Sequence, residues 1–373
     1  MLQRILAFFL PLITFSMIFL SAGHLIACSC NEEVQTQKKL PFLLFAGNAS
    51  KPLAEAIASE LKIPLADAAI SKFNDGEISI TINENVRNRN VYIIQSTCRS
   101  ETNSVNDNLM ELYLTIRALK RASAKSVIAV IPYYGYGRQD RKTKPRVPIS
   151  ASDVAMLIEG AGADRVVAID LHAGQIQGFF RDIPVDNLYS TTVFLPYFAK
   201  LSLQNPVVVS PDAGGVERAK KFREGLARHG VDAGLAIIVK QRAKAGVVES
   251  MNLVGDVKGC DVIICDDICD TAGTLVKAAE ELKAFGARRV YACITHPVFS
   301  QQALQKIAQS QFTEVVISDT IPLLQLIPDN ITQLSMAPLL AKAICCVQTG
   351  QSIADLFNGD PSKIAAQKQC CYH

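Results

Sequence analysis

The sequence predicts an α/β protein with parallel sheets covered by helices on both faces, and three observations carry that prediction. Short unbroken apolar runs, such as Val91–Ile94, Val127–Ile131 and Val262–Cys265, have the length and composition of fully buried parallel strands. Between most of them the apolar residues fall at helical spacing, so β and α elements alternate. The chain has 373 residues, which suits two α/β domains.

The folded part is expected to begin at Leu40. Phe42–Phe45 reads as a strand and Lys51–Leu61 as a helix. Ile78, Ile80 and Ile82 alternate with polar residues, the pattern of a half-exposed strand. Val91–Ile94 is a buried strand, and Leu109, Leu112, Ile116 and Leu119 mark a helix. Val127–Ile131 is the next buried strand and stops at Pro132. In the second half, strands are expected at 166–169, 207–209, 237–239, 262–265 and 290–294. Leu275, Ala278, Ala279, Leu282 and Phe285 recur at helical spacing, and Gly286 supplies a C-terminal stop. The chain has neither low-complexity segments nor short repeats.

Composition narrows the function. The net charge is only +3, which gives no global footprint for nucleic acid. The basic residues are bunched locally instead, with Arg138, Arg141, Lys142, Lys144 and Arg146 in one loop. The eleven cysteines include no pair of C-x-x-C motifs with zinc spacing. Most of them read as small buried hydrophobes in a reducing compartment, although the Cys345-Cys346 and Cys370-Cys371 pairs have no account. Residues 5–20 are almost wholly apolar after Arg4, and the run ends Leu25-Ile26-Ala27-Cys28. That is the form of a secretory signal peptide with a lipoprotein-type processing site. Residues 31–39 form a polar linker.

The most informative stretch is C-D-D-I-C-D-T-A-G-T, residues 265–274. It joins a buried strand to a helix, at the strand end where open α/β sheets bind ligands. Thr271, Ala272, Gly273 and Thr274 fall at the helix N-terminus, where free N–H groups and the helix dipole favour a phosphate. Asp266, Asp267 and Asp270 instead need cations or hydroxyl donors. A sugar phosphate satisfies both demands, with a metal ion a further partner. The plainer alternative is an Asp270 N-cap with acids favoured by the dipole.

Four other segments join it. K-F-N-D-G-E-I-S-I (72–80) sets Phe73, Asp75 and Glu77 around Gly76. Y-Y-G-Y-G-R-Q-D-R (133–141) joins aromatics and glycines to the cationic loop, and Arg138-Gln139-Asp140 offers hydrogen-bonding types suited to a nucleotide. Strands end with Asp170 and His172 in one case and Asp212 in another, both followed by glycines. Lys240 and Arg242 end a further strand, where unpaired burial would be costly. Together these residues describe a site for moving a phosphate-type group between two phosphorylated partners, with metals meeting His172 and Asp212.

The motifs F-A-G-N (45–48), F-N-D-G-E (73–77), N-D-N-L-M-E-L (106–112), G-R-Q-D-R (137–141), D-L-H-A-G-Q-I-Q-G-F-F (170–180), V-V-S-P-D-A-G-G (208–215) and D-D-I-C-D-T-A-G-T (266–274) resemble the ribose-phosphate pyrophosphokinase family, also called phosphoribosyl pyrophosphate synthetases. The likeness runs from about Leu40 to Phe357. It implies two phosphoribosyltransferase-type domains, expected at 40–187 and 188–340, with 1–39 outside the fold and a C-terminal helix and tail at 341–373. It implies transfer of the β,γ-diphosphoryl group of ATP to the 1-hydroxyl of ribose 5-phosphate, with Mg²⁺ as cofactor.

By that likeness Asp270, Thr271, Ala272, Gly273 and Thr274 hold the 5-phosphate, and Asp266 and Asp267 the ribose hydroxyls. Arg138, Gln139 and His172 serve ATP, as do Phe73, Asp75 and Glu77, which reach the nucleotide of a neighbouring subunit. A homo-oligomer is therefore implied, and the family is often hexameric. His172 and Asp212 match metal positions. Lys240 and Arg242 match the catalytic pair, and Arg242 also meets the sugar phosphate. The segment R-S-E-T-N-S-V (99–105) is longer than the family's usual connection, and F-F-R-D-I-P (179–184) holds an extra residue. The alternatives are a phosphoribosyltransferase, a non-catalytic regulatory homologue, and a lipid-anchored sugar-phosphate binder. The expected location is the cytoplasm, where ATP and ribose 5-phosphate are found; export through residues 1–28 is the alternative.

Overall fold

The computed structural model describes residues 42–241 and 250–358. The signal-like segment, Arg242 and the Cys370-Cys371 pair lie outside the described residues.

Two parallel sheets organise the chain, and the α/β expectation holds. The first contains β1 (Phe42–Ala46), β4 (Asn90–Ile94), β5 (Ser126–Ile131), β6 (Arg165–Ile169) and β7 (Val185–Leu188), in the order β1-β4-β5-β6-β7. Every neighbouring pair in it is parallel. β2 (Ala68–Lys72) and β3 (Ile78–Ile82) form a separate antiparallel hairpin, with Lys72 opposite Ile78. The second sheet has the order β10-β9-β8-β11-β12-β13-β14. Its strands are β8 (Val207–Ser210), β9 (Gly234–Gln241), β10 (Ser250–Val254), β11 (Asp261–Cys269), β12 (Arg289–Pro297), β13 (Glu314–Ser318) and β14 (Ile331–Leu334). Only the edge strand β10 is antiparallel.

The connecting helices are α1 (Lys51–Leu61), α2 (Val105–Arg121), α3 (Ser150–Ala161), α4 (Thr191–Lys200), α5 (Val216–Arg228), α6 (Gly273–Ala284) and α7 (Ala303–Ala308). They are followed at the C-terminal end by α8 (Ala337–Thr349) and α9 (Ala354–Asn358). α2 starts at a reciprocal cap. Ser104 Oγ accepts from Asp107 N, and the Asp107 carboxylate accepts from Ser104 N. Such a cap stabilises a helix start by about 1 kcal/mol.

Strand side chains alternate between two helix-covered faces, so each central strand must be apolar throughout. Phe45, Ile93 and Ala129 pack with Leu112, Ile116 and Leu119 of α2 on one face of the first sheet. On one face of the second, Val209, Ile264 and Ala292 pack with Leu275, Ala278, Ala279 and Leu282 of α6. The opposite faces share one core: Leu44, Ile94 and Val130 join Val208, Ile263 and Val316 through Phe194, Phe198, Phe222, Leu340 and Ile344. Fully burying each large apolar side chain contributes about 1.5–3 kcal/mol. α8 packs against α1 and so ties the end of the chain to its beginning.

The shared core turns the carboxyl ends of the two sheets toward each other. Buried His296, near the end of β12, has its Nε2 3.1 Å from the Ile169 carbonyl and 3.2 Å from that of Asp170. Ser96 Oγ donates to the Thr320 carbonyl at 2.6 Å. The cleft between these strand ends holds the site.

Cys98, Cys265, Cys269 and Cys293 are buried free thiols, as the apolar reading of the cysteines expects. Cys345, in one of the two pairs without an account from the sequence, is disulfide-bonded. Among the described residues, no helix is long and apolar enough to cross a membrane.

Candidate active site

The acidic turn is built differently from its sequence pattern. The apolar run stops at Cys265, but β11 continues to Cys269. Its parallel partner β12 is equally long, with Asp266 opposite Ile294 and Cys269 opposite Pro297. Asp266 and Asp267 therefore sit on a strand rather than in a loop. The turn proper is Asp270, Thr271 and Ala272, and α6 begins at Gly273. Ala272 adopts a left-handed backbone, φ 60°, which is strained for a residue with a Cβ. Lys306 Nζ, donating to the Thr271 carbonyl at 3.0 Å, helps to hold the turn.

No side chain caps the start of α6, so the N-cap alternative for Asp270 fails. Its carboxylate is engaged elsewhere: it accepts from Arg138 Nη1 at 2.8 Å and from Ser300 Oγ at 2.5 Å. Burial alone would raise its pKa, but the Ser300 and Arg138 hydrogen bonds outweigh it and lower the carboxyl below its usual range. The uncapped helix start leaves N–H donors at the positive end of the dipole. A Cβ built on Gly273 would meet nothing nearer than Thr271 Oγ1 at 3.9 Å, so there is open space in front of the turn.

Beside the turn is a charged cluster drawn from three elements. Arg218, on α5, lies 3.2 Å from Asp266 Oδ1 and 3.0 Å from Asp267 Oδ1. His172 Nδ1 lies 2.6 Å from Asp267 Oδ2. That bond is the main reason the His172 pKa is raised. Burial pushes both carboxyls up. For Asp267 the His172 hydrogen bond and the Arg218 charge more than compensate, and its pKa falls well below the usual range. For Asp266 the neighbouring Asp267 charge adds to burial, and its pKa rises to about 7. The pair thus divides into a firmly ionised buried acid and a more basic one open to the cleft.

The cleft has a volume of about 1210 Å³. Arg138, His172, Asp212, Asp266, Asp267 and the whole turn from Asp270 to Thr274 line it. Asp212 sits in a tight turn in which Gly215 N donates to Asp212 Oδ1 at 3.0 Å. Asp170, at the end of β6 with φ 40°, also lines the cleft, and Thr295 Oγ1 donates to its Oδ2 at 2.7 Å.

Gln139, Phe73, Asp75 and Glu77 lie outside this lining. Gln139 accepts a hydrogen bond from Ser150 Oγ at 2.5 Å. Phe73, Asp75 and Glu77 form the exposed tip of the β2–β3 hairpin, with Phe73 59% exposed. Glu77 N donates to Asp75 Oδ1 at 3.1 Å there. Lys240 is on β9 opposite Met251, three residues past Ile237, which pairs with Ser210 at the end of β8. Sequence reasoning missed Arg218, Ser300 and Lys306. Arg218 is one of several cations in V-E-R-A-K-K-F-R (216–223), and its spacing does not mark it out.

The strand ends of this parallel-sheet α/β fold bring paired acids beside an uncapped helix start. Comparisons with known proteins identify the family. Residues 42–162 match the family described as the N-terminal domain of ribose phosphate pyrophosphokinase. Residues 236–358 match the phosphoribosyl synthetase-associated domain. A ribose-phosphate pyrophosphokinase of Campylobacter jejuni subsp. jejuni is 51% identical over 316 residues, covering 85% of this chain and 99% of the relative. One of Shewanella oneidensis is 51% identical over 318 residues, covering 84% and 98%. The crystal structure of phosphoribosylpyrophosphate synthetase from Mycobacterium smegmatis superposes with a TM-score of 0.75 at 40% identity, covering 83% of this chain and 99% of that one. The chain belongs to the ribose-phosphate pyrophosphokinase family, and it is an enzyme.

Proposed function

We propose that this enzyme transfers the β,γ-diphosphoryl group of ATP to the 1-hydroxyl of ribose 5-phosphate, releasing AMP. The observation that carries the reading is the cleft itself. It sets an uncapped helix start beside paired carboxylates, and faces both with Arg138 and His172 from the other sheet. The 5-phosphate lies on the backbone of Thr271–Thr274, in the space in front of Gly273. The sugar's vicinal hydroxyls meet the Asp266–Asp267 pair. Bound in this way, the sugar's 1-hydroxyl is held for in-line attack on the β-phosphorus of ATP.

Arg138 and Gln139 bind the nucleotide. Lys240 and Arg242 offset the negative charge that builds on the transferred group and on the departing AMP. ATP-to-AMP conversion that depends on ribose 5-phosphate tests the reading. A phosphoribosyltransferase or a non-catalytic homologue would release no AMP.

The donor set suits Mg²⁺. His172 uses Nδ1 for Asp267, which leaves Nε2 for a ligand, and Asp212 offers a carboxylate in the same cleft. Mg²⁺ takes few protein ligands and keeps waters and substrate phosphate oxygens. His172 and Asp212 would hold it, and it would supply charge neutralisation on the triphosphate.

The active unit in this reading is a homo-oligomer, hexameric as the family often is, with each ATP site shared between subunits. Support comes from the F-N-D-G-E tip, which is exposed and lies outside the lining of its own chain's cleft. Asp75→Ala and Lys240→Ala proteins, each inactive alone, should regain part of the activity when mixed under subunit exchange. Hybrids shown to form that stay inactive would place the whole ATP site within one chain.

The working enzyme is cytoplasmic in this reading, because its substrates are cytoplasmic metabolites. N-terminal mass spectrometry of the native protein should find a soluble species starting near Lys38–Leu40. A lipid-modified N-terminal Cys28 in the membrane fraction would overturn it.

A further inference from the structure

The connection 99–105, longer than the family's usual one, does not line the cleft. It is nevertheless firmly built. Asn103 Nδ2 donates to Asn108 Oδ1 at 3.0 Å and to Glu111 Oε2 at 3.2 Å. Asn108 Nδ2 donates in turn to the Cys98 carbonyl at 2.7 Å and to Ser100 Oγ at 3.2 Å. Asn103 is buried, as are Asn108 and Glu111 on α2. Buried polar side chains with their partners in place hold a loop in one conformation.

This connection leads into the cap of α2, and there it meets the base of the β2–β3 hairpin. Along β2, Ala68, Ile70 and Lys72 are half-buried while Ala69 and Ser71 are exposed, so Lys72 is the last residue on the sheltered face. Lys72 Nζ donates to Asp107 Oδ2 at 2.9 Å and to the Thr102 carbonyl at 3.3 Å. The same carboxylate oxygen accepts from Ser104 N at 2.8 Å. The Lys72 hydrogen bond is the main reason that the Asp107 pKa is lowered to about 2, which keeps the carboxylate ionised at neutral pH. Phe73 follows on the opposite, open face, and its N–H donates to the Glu77 carbonyl at 2.8 Å to close the tip. An isolated surface ion pair contributes little. This one shares its acid with a helix cap and adds a backbone acceptor from a loop that buried amides hold.

We propose that Lys72 is a positioning residue for ATP. Asp107 and the Thr102 carbonyl clamp the last sheltered side chain of β2, and this fixes the direction in which Phe73, Asp75 and Glu77 leave the hairpin. The hairpin belongs to neither large sheet, so α2, which packs against β3, and this clamp set its orientation. The inference rests on the reading that the F-N-D-G-E tip serves ATP.

Steady-state kinetics of the full chain, with each substrate varied in turn, tests it. Lys72→Met should raise the KM for ATP about three- to tenfold and change that for ribose 5-phosphate less than about twofold, because a misplaced contact group weakens only the ligand that it touches. Lys72→Arg, which keeps the charge, should recover most of the loss. Asp107→Asn should act in the same direction. The double variant Lys72→Met with Asp107→Asn should be no worse than the poorer single one, as expected for two members of one interaction. A purely structural Lys72 would shift both KM values alike, with no rescue by arginine. An unchanged KM for ATP in Lys72→Met, equal rises in both KM values, or additive effects in the double variant each overturn the clamp. If Asp107→Asn does not fold, Lys72→Met and Lys72→Arg decide the matter. Phe73→Ala separates the underlying reading. If it raises the KM for ATP while Lys72→Met does not, only the clamp fails. If neither changes that KM, the assignment of the tip to ATP fails with it.

Discussion

Lys240→Ala should lower kcat about 10²-fold or more and leave the KM values of both substrates closer to normal. The expectation follows from where β9 ends. Residue 240 lies beyond the last pairing of β9 with β8, at the carboxyl edge of the sheet where β8 leads to Asp212 and β11 to the acidic turn. In the proposed reaction a cation at that edge would act on charge that is larger in the transition state than in either bound substrate. Losing one such preorganised group costs about 10²–10³ in kcat. Binding should suffer less, because in the proposed reading Arg138 and the backbone of the turn still hold the ground state. Steady-state kinetics with each substrate varied in turn measures the effect. A near-normal kcat in folded protein would remove Lys240 from the transition state.

Gly273→Val should raise the KM for ribose 5-phosphate by tenfold or more and change the KM for ATP little. The structure makes this substitution unusually informative. The new Cβ would meet only Thr271 Oγ1, at 3.9 Å, so the side chain has room and the protein should fold. The space it fills is the space in front of the uncapped N-terminus of α6, where backbone N–H groups need close approach by an anion. A β-branched side chain there keeps the phosphate at a distance. Equal changes in the two KM values would contradict the assignment of this turn to the 5-phosphate.

The central strands were legible because each is buried on both faces. Val127–Ile131 and Val290–Ile294 can only be unbroken apolar runs, and both form strands that cover the expected residues. β7, with sequence V-D-N-L, and β14, I-T-Q-L, lie at the edges of their sheets, where polar residues interrupt the apolar run. The extension of β11 through Asp266 and Asp267 was hidden for another reason. Pairing with a long neighbour, rather than the strand's own composition, keeps those acids extended.

The candidate cleft was legible where backbone and side chain announce it together, as in D-T-A-G-T after a buried strand. Residues that act by touching other side chains gave no such signal. Arg218 is one cation among several on a charged helix, and only the fold shows that it spans Asp266 and Asp267. Ser300 reaches Asp270 from the loop after β12, between Phe299 and Gln301, two non-glycine residues with positive φ. No local pattern in that loop foretells the contact.

Phosphorus NMR of the reaction mixture tests the central claim most directly, because it identifies what is transferred and to where. With ATP, ribose 5-phosphate and Mg²⁺, the ATP signals should give way to AMP and to a diphosphate attached at carbon 1 of the sugar, in equal amounts. No AMP should form when ribose 5-phosphate is omitted. The appearance of ADP with a monophosphorylated sugar carbon, or AMP with free pyrophosphate and unchanged sugar, would contradict it.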